Sequence, residues 1–130
     1  MTVHATRSGS DRGPADWPQL LVMVYDRLVL DVQRGLDAQR RGAVEEMMSH
    51  LSHALDIVSE LQRSVRVEEF KGGYDLAALY EFLNRRLVLA SIGKDAAVTD
   101  EVLTLVIDLC ATWRQAALAG IDEDSVKQSA

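Results

Sequence analysis

The chain has 130 residues, one cysteine, a formal net charge of −6 and a pI near 5.0. A length of this order predicts one domain whose single core needs neither disulfide nor metal, and the lone Cys110 excludes an internal disulfide and fits a reduced compartment. The acidic balance works against binding polyanions, so nucleic acid and anionic membrane surfaces are not expected as partners.

The N-terminal stretch Met1 to Ser10 lacks the apolar core of a signal peptide, and no run approaches membrane-spanning length, so no membrane insertion and a cytoplasmic location are expected. Residues 1–15 are rich in Gly, Ser, Arg and Asp and read as a flexible arm. A bundle domain is then expected over 16–119, followed by a polar tail over 120–130. Asp16 with Gln19 resembles a capping box, and Pro18 falls in the first turn, which predicts a first helix from Asp16 to about Gln39 closed by Gly42. A second helix is predicted from about Ala43, with Val44, Met47, Met48, Leu51, Leu55, Val58, Gln62 and Val65 on one face. After a turn at Gly72-Gly73 the third helix covers Tyr74 to Ile92. The fourth runs from an N-cap at Thr99 to about Ala119. Four amphipathic helices, short links and no period-two strand pattern predict an all-α, antiparallel up-down four-helix bundle.

Every helix but the second carries more apolar surface than one buried stripe uses. On the third, Leu76, Leu79, Tyr80, Leu83, Leu87 and Ala90 form the stripe, whereas Phe82 and Leu89 lie together off it. On the first, the stripe is Leu21, Val24, Tyr25, Leu28 and Val32, and Met23 and Leu30 fall almost opposite. On the fourth, Val102, Leu105, Val106, Leu109 and Trp113 form the stripe, and Leu103, Ile107 and Cys110 form a second one at the spacing that lays one helix beside another. Scattered surface apolar residues are common, but the same excess on three helices points to a partner.

Signals for chemistry are sparse. His50 and His53 stand three apart with Glu46 and Asp56 near, but no further ligands are signalled, so no metal is expected. The Glu-x-x-His pairs of di-iron bundles, phosphate loops and nucleophile elbows are absent. Cys110 has no neighbouring histidine in sequence and reads first as a small buried apolar residue. Arg85 and Arg86 can recognise a carboxylate or simply solvate a helix face. No catalytic residue and no cofactor are expected. A non-enzymatic interaction protein is therefore predicted, and a bundle that dimerises through its apolar stripes is the alternative to one that binds a different chain.

Three segments carry a family resemblance. Leu20-Leu-Val-Met-Val-Tyr-Asp26 resembles the opening of helix 1 in the flagellar export chaperone FliS family. Leu79-Tyr-Glu-Phe-Leu-Asn-Arg-Arg-Leu87 is similar to that family's Leu-Tyr-x-Tyr-Met-Asn-Arg-Arg-Leu segment, and Asp100 to Trp113 to its fourth helix. The resemblance spans roughly residues 16–119. It departs at the N-terminus, where tyrosines are missing and Asp16-Trp17-Pro18 replaces a Ser-Pro opening, and at Arg27, where a small residue is usual. It implies a cytoplasmic bundle that binds the C-terminal segment of flagellin 1:1, keeps it from polymerising and delivers it to a flagellar export gate component. The residues expected to meet flagellin are Met23, Leu30, Phe82, Arg85, Leu89, Leu103, Ile107 and Cys110.

Overall fold

The computed structural model describes the backbone over residues 13–65, 72–93 and 95–129, and the side chains over 19–65, 74–93 and 95–119. Its elements are α1 (Gly13–Arg40), α2 (Val44–Ser64), α3 (Gly73–Ile92) and α4 (Ala96–Ser129). Each helix packs on its chain neighbours, and α1 also packs on α4, which closes the ring of an up-down bundle. The seams of α1 with α4 and with α2 are the most extensive, and that between α3 and α4 is the sparest.

The helix ends show which local signals operate. At the end of α1, Gly42 has φ of 74°, and the amides of Gly42 and Ala43 bond to the carbonyls of Gln39 and Ala38, a Schellman motif that needs a left-handed residue. The expected start of α4 at Thr99 is corrected. The helix begins at Ala96, capped by Asp95 Oδ1 accepting from the Ala97 amide at 2.9 Å. Thr99 is instead fully buried and donates to Gln39 Oε1 at 2.6 Å. Two further ends move outward. α1 starts at Gly13, and α4 runs past its expected end at Ala119 as far as Ser129. A single Gly120 costs a helix about 1 kcal/mol, and with no proline behind it this does not stop propagation. Of the expected flexible arm, residues 1–12 lie outside the described residues.

Tyr25, Leu28, Val32, Leu51, Val58, Tyr80, Leu83, Leu87, Val102 and Val106 are the largest buried apolar side chains of the core. The expected stripes are right at their centres and too wide at their margins. Val24 and Met48 are exposed, and Leu55, Leu76, Leu105, Leu109 and Trp113 only pack against the core from its edge. α1 and α2 approach so closely that a Cβ on Gly35 would stand 2.5 Å from Leu51 Cδ2, which only glycine avoids.

Three polar groups cross this core. The hydroxyls of Tyr25 and Tyr80 bond at 2.6 Å, joining α1 to α3 across the bundle, and Trp113 stacks on Tyr25 with ring centroids 6.4 Å apart. Burial pushes both phenols above the usual tyrosine range. Gln39 bonds the Ala90 carbonyl at 3.1 Å while accepting from Thr99, so one amide ties the ends of three helices. Between α1 and α2, the fully buried Asp31 carboxylate bonds His53 Nδ1 and lies 3.3 Å from Arg27 Nε, and its Oδ1 lacks a hydrogen-bond partner. An unpaired charge there would cost several kcal/mol, so this contact fixes how α2 sits on α1.

Two outcomes follow from the core. Tyr25→Phe and Tyr80→Phe should each lower stability by about 1–3 kcal/mol, because each strands the other hydroxyl, and the double variant should lose less than the sum. Urea denaturation of the three variants reads this, and additive losses would contradict it. Cys110 is 7% exposed and its thiol is pushed up by burial and by its bond to the Asp26 carboxylate. An aromatic disulfide reagent at pH 8 should therefore label the native chain more than about tenfold slower than the urea-unfolded chain. Equal rates would place the thiol outside the core.

Candidate partner-binding surface

The surface of α4 follows from how it is held. One flank is turned toward α1, where Asp26 accepts from Arg114 at 2.8 Å and from the Cys110 thiol at 3.2 Å. The other is turned toward α3, where Arg86 and Glu101 pair at 2.6 Å. With α1 and α4 antiparallel and pinned at Asp26–Cys110 and Gln39–Thr99, Leu30 comes level with Ile107 and Leu103 lies one turn further along. Ile107 is 44% exposed and Leu103 half-buried on this side of α4, while on α1 Leu30 is half-buried and Met23, 68% exposed, lies toward the outside of the helix. This is a shallow apolar face along the α1–α4 seam.

A second face lies on the other flank. Counting along the antiparallel helices from the Arg86–Glu101 pair puts Phe82 level with Leu105, and Leu89 level with Val98. Phe82 and Leu89 are 45% and 48% exposed, while Leu79, Leu105 and Leu109 are half-buried at its floor. This seam is the most sparsely packed of the bundle. Arg85 stands between Phe82 and Leu89 on the same side of α3, exposed and 3.9 Å from Glu81, with a guanidinium available to a carboxylate.

Of the eight expected partner residues, Phe82, Arg85 and Leu89 sit on one face flanking α4, Leu103 and Ile107 on the other with Leu30 level with them, and Met23 is exposed on the outer side of α1. The eighth is corrected: Cys110 belongs to the core, because its position on α4 turns it inward under Asp26. The adjacent arginines are also split, with Arg86 holding α3 to α4 and Arg85 facing solvent. Leu79, Leu105 and Leu109 belong to the stripes expected from the sequence, and the structure leaves them half-buried as a floor. Its only signal was the width of two neighbouring stripes, which does not say how closely the helices approach.

The seam between α1 and α2 is different in kind. Arg27, Asp31, Ser49, His50, Ser52, His53 and Asp56 line a depression of about 430 Å³ there. Arg27 and His53 are both paired with Asp31 there, and among the described residues no group of three or more His, Cys, Asp or Glu that could hold a metal ion occurs. The expectation that no run reaches membrane-spanning length is corrected. Ala96–Ala119 is long and apolar enough by composition, with a mean hydropathy of 1.3 in a window that is 22% buried. In the fold this apolar excess forms the two flanks just described, while Val102, Val106 and Cys110 enter the core.

A family model described as "Flagellar protein FliS" matches residues 10–120. The flagellar secretion chaperone FliS of Bacillus subtilis (strain 168) is 26% identical over 98 residues, covering 75% of this chain and 73% of the relative. With the match running through all four helices and both apolar faces, this chain belongs to the FliS family.

Proposed function

We propose that this chain is a cytoplasmic flagellar secretion chaperone that holds the C-terminal segment of a flagellin on the two apolar faces flanking α4, one segment per chain. The observation that carries the reading is the exposure of Phe82, Leu89, Met23 and Ile107 on well-formed helices whose core is complete without them. Burying such surface is favourable by roughly 25 cal/mol per Å², so a disordered segment with apolar residues at helical spacing gains enough to order on it. A flagellin segment held in this way is prevented from polymerising and kept open for transfer to the export gate. No step of this function needs bond making or breaking, in keeping with a family of non-catalytic chaperones.

The reading is tested by substitutions that separate face from core. Ile107→Asp and Phe82→Ser should each weaken binding of a flagellin C-terminal peptide by on the order of 2 kcal/mol, with helicity retained. Val106→Asp places a charge at a fully buried position and should unfold the bundle. Leu109, half-buried, should fall between the two. Fluorescence titration and circular dichroism measure both effects. Unchanged affinity in the face variants, or a concentration-dependent dimer that they dissolve, would overturn the assignment.

A further inference from the structure

We infer a second docking strip on the opposite side of the bundle, along the α2–α3 seam, that accepts an amphipathic helix with basic residues beside its apolar stripe. Asn84 donates to Ser59 Oγ at 3.0 Å across this seam and fixes its register. Counting from that pair along the antiparallel helices puts Val88 level with Leu55 and brings Ile92 to within a turn of Met48, with Val44 one turn further down α2. Val44, Met48, Val88 and Ile92 are 63%, 44%, 41% and 73% exposed. They share no residue with the faces flanking α4. From the level of Val88 to Val44 the strip runs about 16 Å at 1.5 Å per residue, three turns, which suits apolar anchors at i, i+3 or i+4, and i+7. Met48 adds a side chain that adapts to varied partners.

Charge decides what covers it. Glu45 and Asp56 stand on the outer ridge of α2, and Asp95 lies below the end of α3; all three are exposed, and none is in a salt bridge among the described residues. Among the described residues the cations beside the strip are Arg40 and Arg41, just before Val44, and Arg85, one turn before Val88; Arg41 is paired with Glu46, and Arg85 lies toward Glu81. The rim is thus acidic on a chain whose net charge is −6. Two copies meeting through this strip would set acidic rim against acidic rim, which is unfavourable, whereas lysines or arginines flanking a partner's apolar stripe would meet opposite charge.

The probe is a 14-residue model peptide with leucines at i, i+3, i+7 and i+10 and lysines elsewhere, and a control peptide carrying glutamates in place of the lysines. In ¹⁵N-labelled full-length chain already saturated with a flagellin C-terminal peptide, the lysine peptide should shift amides around Val44, Met48, Val88 and Ile92. The glutamate control should bind at least about tenfold more weakly. Met48→Gln with Ile92→Gln should weaken the lysine peptide about tenfold, and Glu45→Gln with Asp56→Asn severalfold, with the flagellin peptide still bound. Shifts centred on Phe82 and Leu89, shifts spread over the whole surface, or equal binding of the two peptides would overturn the proposal. So would a dimer of the free chain that the Met48 and Ile92 substitutions dissolve, which would give the strip to a second copy. Because the wild-type shift map needs no variant, loss of folding in a substituted chain leaves the test intact, and failure of the flagellin peptide itself to bind is seen separately in the first titration step.

Discussion

The seam between α1 and α4 is the constraint on which the rest of the structure depends. It joins the first and last helices and so closes the ring. Its ends are fixed by specific polar contacts, Thr99 on Gln39 at one and Cys110 and Arg114 on Asp26 at the other. Those contacts set the rotation of α4 about its own axis, and that rotation decides which of its many apolar residues enter the core. Val102 and Val106 turn inward, Ile107 is left on the α1 flank, and Leu105 and Leu109 are left half-covered on the α3 flank. A helix as apolar as α4 cannot hide all of its surface between two neighbours, and the uncovered remainder is the candidate binding surface.

Polar groups inside the bundle give these packings one register. Apolar residues alone tolerate sliding, because one leucine replaces another at similar cost. The Tyr25–Tyr80 bond, the Gln39 amide and the Asp31–His53 contact do not tolerate it, since a one-turn slip would strand each of them in the interior. Together they join α1 to α3 at Tyr25 and Gln39, to α4 at Gln39 and to α2 at Asp31, so each helix is held to at least one other by a bond that a shift would break. Packing is most extensive where α1 meets α2 and α4 and sparsest where α3 meets α4, the seam along which Phe82 and Leu89 lie.

Much of this was legible in the sequence. Helical periodicity gave four helices and the centres of the buried stripes, and Gly42 marked a helix end with the right mechanism. The surplus at Met23, Leu30, Phe82, Leu89, Leu103 and Ile107 was visible as apolar residues with no place in a stripe. What periodicity does not carry is the rotation of a helix and the distance to its neighbours. Cys110 was placed on the outer stripe because its angle on the wheel lies between core and flank, and its bond to Asp26, far away in sequence, resolves the matter. Thr99 looked like a cap because it is a threonine before two acidic residues; its role as a buried partner of Gln39 is a tertiary fact. Val44 and Met48 matched the core period of α2, yet α3 ends near their level and leaves them uncovered. The acidic residues near them then acquire a meaning that composition alone does not give.

The central claim, that the faces flanking α4 bind flagellin by burying apolar surface, is tested most directly by calorimetric titration of a flagellin C-terminal peptide into the chain at several temperatures. The account predicts saturation at one peptide per chain with a clearly negative heat-capacity change, reduced in Ile107→Asp and Phe82→Ser. Absence of binding at tens of micromolar, or binding whose heat capacity does not change with burial at these two positions, would contradict it.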